Sequence, residues 1–195
     1  MTTLPAPFRA LIIGSSGAIG SALVTELQNN PLCSVVVGIH RHSIPAIDYA
    51  NMQSIESAAD ALLEQGPFNL IINTIGMLHT ESRMPEKRLA DLNHEQFNLL
   101  LQTNTVGPAM TIKYFSKLLD PNGSVFATIS AKVGSISDNR LGGWYSYRTS
   151  KAALNMFIKT AAIELSRTKP NTAIVALHPG TVSSNLSKPF RGEEI

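Results

Sequence analysis

The stretch Arg9-Ala10-Leu11-Ile12-Ile13-Gly14-Ser15-Ser16-Gly17-Ala18-Ile19-Gly20 decides the fold. Arg9–Ile13 reads as a strand and Ala18–Asn29 as a helix, with glycines at 14, 17 and 20 where they join. Gly14 permits a tight turn, Gly17 lets backbone approach a pyrophosphate, and Gly20 lets helix and strand pack closely. The helix start then offers free N–H groups and the positive end of its dipole to phosphates. Ser15, Ser16 and Ile19 are placed to add contacts.

Outward from this turn, short β-rich runs alternate with helical patterns. Ser34–Ile39, with Val35, Val36 and Val37 in succession, predicts a strand buried on both faces. Ile44–Asp48 reads as a short third strand interrupted by Pro45, then Ile55–Gln65 as a helix ended by Gly66-Pro67. Asn69–Asn73, Ser124–Ser130 and Thr172–His178 predict the fourth, fifth and sixth strands. Two long helices separate them: His94–Leu119, with Pro108 as a kink, and Trp144–Thr168. The expected fold is α/β, a doubly wound three-layer sandwich around a mostly parallel sheet in the order 3-2-1-4-5-6. No repeat or linker divides residues 1–195, so a single domain is expected.

Composition narrows the function. An apolar fraction of 44% and a charged fraction of 15% suit a packed core. The net charge of +2 is scattered rather than gathered into a basic face, which argues against a nucleic-acid partner. One cysteine, Cys33, points to a reducing compartment. The start carries no signal-peptide pattern, and no apolar run approaches the ~18 residues of a membrane span. A cytoplasmic protein is expected, with no membrane partner and no metal site.

The second strand ends in Gly38-Ile39-His40-Arg41-His42, without the carboxylate that would hold an adenine ribose 2′-hydroxyl. Arg41 is suited to a 2′-phosphate instead, which favours NADP(H) over NAD(H). Further on, Tyr147 and Lys151 stand four apart on one helical face. An ammonium near a phenol lowers its pKa toward the range of proton transfer, so the pair forms an acid/base unit. Tyr145 has Thr149 at the same offset and lacks that partner.

With the glycine turn, Asn73-Thr74-Ile75-Gly76, Asn104, Tyr147/Lys151 and Pro179-Gly180 in this order, the chain resembles the short-chain dehydrogenase/reductase superfamily from Arg9 to about Pro189. Pro85-Glu86-Lys87-Arg88-Leu89, Gly134-Ser135-Ile136 and Tyr145–Lys151 resemble its C-factor-like and sniffer-like carbonyl reductase branch. The resemblance implies a catalytic set of Tyr147, Lys151 and Asn104, with Asn104 holding a water in a relay through Lys151. It implies that Asp48, with Tyr49 beside it, meets the adenine. Asn73, Thr74 and Gly76 would line the cofactor, Lys151 would bind the nicotinamide ribose, and Pro179, Gly180 and Thr181 would border the nicotinamide.

The sequence departs from that pattern in three places. Ala131 falls where the family has its carbonyl-polarising serine, so Ser130 or Ser135 supplies the hydroxyl, or none does. Ala18 replaces the middle glycine, with Gly17 one residue earlier. The chain ends at residue 195, within the segment from 181 where a substrate loop and seventh strand would follow, so either it is truncated or the sheet ends early. Two functions follow: a hydride-transferring oxidoreductase for a small carbonyl/alcohol pair, or a dinucleotide-binding regulatory protein with little catalysis. Leu99, Leu100, Ile112, Phe115, Met156 and Phe157 exceed one apolar face of the two long helices, and a homodimer or homotetramer is expected.

Overall fold

The computed structural model describes residues 4–180, 182–184 and 187–190. Five strands form one parallel sheet in the order β2-β1-β3-β4-β5: β1 Phe8–Ile13, β2 Cys33–Ile39, β3 Leu70–Asn73, β4 Ser124–Ile129 and β5 Thr172–Leu177. The helices are α1 Ala18–Gln28, α2 Met52–Ala61, α3 His94–Leu101, α4 Gly107–Phe115 and α5 Tyr145–Thr168. Strands joined by helices leave a parallel sheet that must be covered on both faces. The period-2 alternation of β1 divides the cover: Leu11 and Ile13 pack with Ile55 of α2, Phe115 of α4 and Leu154 of α5. Ala10 and Ile12 face the other way, onto Leu23, Val24 and Leu27 of α1. The expected doubly wound α/β fold is present.

The expected third strand is not. Pro45 offers no N–H to a ladder, Ile44 stands fully exposed, and Ile47 alone plugs into the core. The segment turns back instead, with Ile47 N–H donating to the His40 carbonyl at 3.1 Å and Asp48 bridging Asn51. The helix predicted over His94–Leu119 begins on Asn93, whose side chain accepts from Gln96 N–H at 3.0 Å. It widens to a π turn at Gln102–Val106 between α3 and α4. Pro108 cannot donate to the Asn104 carbonyl four residues back, which accounts for a break in the ladder there.

β1 is flanked by β2 on one side and β3 on the other, so the chain reverses its direction of travel across the sheet at that point. Beyond the carboxyl ends of the strands at such a switch, the diverging loops open a crevice.

Candidate active site

The glycine turn forms one wall of that crevice. Gly14 adopts φ +86°, and a Cβ there would lie 2.6 Å from Thr74 Oγ1. A Cβ on Gly20 would lie 2.2 Å from the Gly14 carbonyl oxygen, so α1 sits directly against the turn. Gly14 and Ser15 N–H donate to the Ile39 carbonyl at 2.8 and 3.1 Å, tying the turn to the end of β2. α1 starts after Gly17 with no side-chain cap and no acidic residue in its first turn. Its opening N–H groups therefore remain for an anion. Ser16, Gly17, Ala18, Ile19 and Gly20 line a cleft of about 710 Å³. Gly14 and Ser15 stand behind it; the Ser15 side chain presses on Gly38 of β2.

α5 supplies the opposite wall. Tyr147 and Lys151 line the cleft one turn apart, 9% and 3% exposed. Lys151 Nζ donates to the Ile129 carbonyl at 3.0 Å and lies 5.8 Å from the centre of the Tyr147 ring. Among the described residues that leaves two N–H groups of the ammonium for a ligand. The lysine is close to Gly76, where a Cβ would stand 3.5 Å from both Lys151 Nζ and Asn104 Oδ1. Burial pushes the Tyr147 phenol up to about 12 and the Lys151 ammonium down to about 8. The sequence suggests that the ammonium lowers the phenol; in this cleft, loss of water dominates both groups, with Leu78 and Leu100 packed around Tyr147.

Asn104 is fully buried on the π turn. Its amide Nδ2 donates to the Met77 carbonyl at 2.7 Å and to Ser150 Oγ at 3.0 Å, while Oδ1 accepts from Met77 N–H at 2.8 Å. It thus clamps the loop after β3 to α5. Thr74, Gly76, Ser130, Pro179 and Gly180 also line the cleft, and Thr181 lies outside the described residues. Ser130 Oγ donates to Asn155 Oδ1 at 2.6 Å, and Ala131 takes its place on the cleft wall beside it.

Four expected cofactor contacts sit elsewhere. The Tyr49 hydroxyl is 2.8 Å from Thr111 Oγ1 and accepts from Asn73 Nδ2 at 2.8 Å. Its ring fills the gap left by Gly107, where a Cβ would come within 2.3 Å of it. Burial raises its phenol pKa further. Tyr49 and Asn73 are therefore a core network and not cleft residues, because that glycine opens a slot in α4. Asp48 Oδ1 accepts from Ala50 N–H at 3.0 Å in a turn, and Oδ2 lies 3.6 Å from Arg41 Nε. Both are outside the cleft wall, and the Arg41 side chain, two residues past the end of β2, is 69% exposed.

The wall also includes Met77, Leu78, Val133, Trp144, His178 and Phe190, to none of which the sequence assigns an individual role, although Met77, Leu78, Trp144 and Phe190 fall in the loops 77–92 and 135–144 and the segment after 181 where specificity is expected. Trp144 meets Phe190 edge-on at 5.0 Å and Tyr147 at 6.1 Å between ring centres. The only tryptophan of the chain, placed in a glycine-rich loop, was the available signal.

A sequence model of the short chain dehydrogenase family matches residues 9–194. The chain is 34% identical over 149 residues to 1-hydroxy-2-glutathionyl-2-methyl-3-butene dehydrogenase of Rhodococcus sp. (strain AD45), covering 76% of this chain and 62% of that enzyme. Thus the match spans about three fifths of that relative's length. A short-chain dehydrogenase/reductase of Burkholderia multivorans with bound NADP superposes with a TM-score of 0.79 at 24% identity, covering 93% of this chain and 82% of the other. The carbonyl reductase Sniffer of D. melanogaster gives a TM-score of 0.77 at 24% identity, covering 93% and 83%. At such identities the two structures establish likeness of fold.

Proposed function

The chain belongs to the short-chain dehydrogenase family, and on that premise we propose that it is an NADP(H)-dependent oxidoreductase that moves a hydride between nicotinamide and a small carbonyl or alcohol. The observation that carries this reading is one cleft with two walls: an uncapped helix start on one side, Tyr147 and Lys151 on the other. The cleft fits a dinucleotide. Ala18, Ile19 and Gly20, at the start of α1, present backbone N–H groups suited to the pyrophosphate, free of any competing carboxylate, while the Gly17 N–H closes the turn onto the Gly14 carbonyl. Thr74, Gly76, Pro179 and Gly180 would border the remainder, and Lys151 has ammonium hydrogens for a ribose hydroxyl. When bound, the reduced nicotinamide supplies the hydride.

The chain's own residues handle the proton. With its pKa raised to about 12, the Tyr147 phenol keeps its hydrogen at neutral pH and can donate it to a carbonyl oxygen as negative charge develops there. Lys151, at about 8, remains largely charged at pH 7, and its ammonium favours the phenolate left behind. Asn104 fixes the loop of Met77 against Ser150 of α5, so both walls keep their spacing. Aromatic and apolar side chains from Trp144, Phe190, Leu78 and Val133 exclude water from the proton donor. Ser130 is the proposed side-chain contact to the carbonyl only by turning its Oγ–H away from Asn155 Oδ1; the bound NADP of the Burkholderia structure and the carbonyl reductase activity in Sniffer's name support cofactor and substrate class. Arg41 is proposed to meet the 2′-phosphate by leaving its exposed pairing with Asp48.

Titration of the protein with NADPH and NADH, followed by nicotinamide fluorescence, tests the cofactor. Tight NADPH binding that weakens in Arg41→Ala is expected; binding of neither withdraws the catalytic reading. A second reading, a regulatory dinucleotide-binding protein, is favoured by Ala131 standing on the wall where a hydroxyl would polarise the substrate. Tyr147→Phe separates the two: an enzyme loses turnover and keeps NADPH, whereas a regulator keeps its effect. The proposal extends to a homo-oligomer. Leu100, Ile112 and Phe115 are spent on the core, but Leu99 and Met156 stay exposed on α3 and α5. Sedimentation of wild type against Met156→Glu would show a shift toward monomer.

A further inference from the structure

Glu86 lies in the loop between β3 and α3, bears no basic partner among the described residues, and is 2% exposed. A buried carboxylate without a cation is costly unless hydrogen bonds satisfy it. Its partners all belong to the start of α5. Ser146 Oγ makes a short hydrogen bond to one carboxylate oxygen, and Ser146 N–H donates to the other at 3.3 Å. The Glu86 backbone carbonyl accepts from Trp144 N–H at 2.5 Å. Trp144 precedes the helix in a left-handed conformation, φ 53°, which a bulky residue keeps only when its surroundings impose it. Tyr147 is the next residue after the pair that Glu86 grips, and its ring meets that of Trp144. The negative charge also sits at the positive end of the longest helix, which favours both.

We propose that Glu86 is a positioning residue for the proton donor: its carboxylate caps α5 through Ser146 while its backbone carbonyl takes the Trp144 N–H, and together these hold the strained turn and fix Tyr147 at the cleft wall. This inference rests on the oxidoreductase reading above for its kinetic consequence, and on Trp144 alone for its structural one. The loop is itself anchored, since Gln96 Nε2 donates to the Met84 carbonyl at 3.0 Å and Asp91 accepts from Arg88 N–H at 3.0 Å. Glu86 therefore acts from a fixed platform.

The test compares Glu86→Ala, Glu86→Gln and Ser146→Ala. Because Trp144 is the single tryptophan, acrylamide quenching of its fluorescence reads the turn directly. Glu86→Ala keeps the backbone bond to Trp144 but frees Ser146 at the start of α5, and the loosened turn is expected to raise quenching, to lower kcat for carbonyl reduction by about 10- to 100-fold, and to leave NADPH affinity unchanged. Glu86→Gln keeps an oxygen for Ser146 N–H and is expected to recover most of kcat; Ser146→Ala, which removes one bond, is expected to fall between. Unchanged quenching and kcat in Glu86→Ala overturn the proposal. So does a joint loss of kcat and NADPH affinity that Glu86→Gln does not restore, which marks a general fold defect. Where Glu86→Ala does not fold, Ser146→Ala is measured in its place: raised quenching with lowered kcat supports the proposal, and no change in either overturns it. Should the wild type turn over no carbonyl, the oxidoreductase reading fails by itself, and quenching alone then decides for or against Glu86.

Discussion

Lys151 holds a buried ammonium, and replacing it should stabilise the protein while abolishing its proposed chemistry. Its pKa falls from an ordinary 10.5 to about 8 through burial. That difference corresponds to about 3 kcal/mol of penalty on the charged form. At 3% exposure the ammonium is hardly screened by solvent. Below pH 8 both folded and unfolded chains carry the proton, and the penalty is felt in full. Between about 8 and 10.5 the unfolded chain binds more protons than the folded one, so wild-type stability rises with pH across that window. Lys151→Met removes the charge and fills the space, at the loss of the bond to the Ile129 carbonyl, worth about 1 kcal/mol. The variant should therefore be about 2 kcal/mol more stable at pH 7, about 4–8 °C in Tm for a chain of this length. By pH 10 the advantage should shrink almost to nothing. The raised Tyr147 pKa acts in the opposite sense, but only above pH 10 and in both proteins. Urea unfolding of both proteins at pH 7 and pH 10 measures the difference. A variant no more stable than wild type at pH 7, with the same gap at pH 10, would show that burial of the ammonium carries no such penalty; NADPH binding should weaken in either case.

Tyr49→Phe leaves Thr111 and Asn73 short of a buried partner and should cost about 1–3 kcal/mol in denaturant unfolding with NADPH affinity unchanged; weakened binding at unchanged stability would restore Tyr49 to the cofactor site. NADPH affinity itself should decline as pH climbs through about 8 and Lys151 loses its charge, and titration in Lys151→Met should be flat over that range. Ala131→Ser returns a hydroxyl to the cleft wall and should raise kcat for carbonyl reduction, by up to about 100-fold if it becomes the missing oxyanion donor. An unchanged rate would mean that another group already polarises the substrate.

What could be read from the sequence is what local geometry enforces. Gly14 and Gly20 are dictated by a left-handed φ and by a backbone contact that no Cβ survives, and both conditions act within a few residues. Tyr147 and Lys151 share a face because a helix repeats that way. The failures lie where distant residues decide. Asp48 and Tyr49 are neighbours in one turn, yet Tyr49 goes inward because Gly107, far along the chain, leaves it room. Ile44–Asp48 has the residue types of a strand, but Pro45 denies it a ladder and only Ile47 is needed by the core. Trp144 carries a positive φ that nothing in its own identity announces, and the carboxylate of Glu86, in a charged loop, gives no sign that it is buried.

The same distinction bears on the chemistry. Spacing alone suggests a phenol made acidic by its lysine; burial reverses the expectation, raising Tyr147 and lowering Lys151 together. Both shifts have one origin, the exclusion of water, and at neutral pH they leave a proton on Tyr147 while Lys151 stays mostly charged. Under the proposed function, a cleft in that state gives a proton away. In the proposed carbonyl reduction, with Ala131 where a second donor would stand and Ser130 Oγ directed to Asn155, the developing charge on the carbonyl oxygen would fall chiefly to the Tyr147 hydroxyl. The precision with which α5 presents that hydroxyl then matters more than it would in a site with two donors, and the start of α5 is where Glu86 is buried.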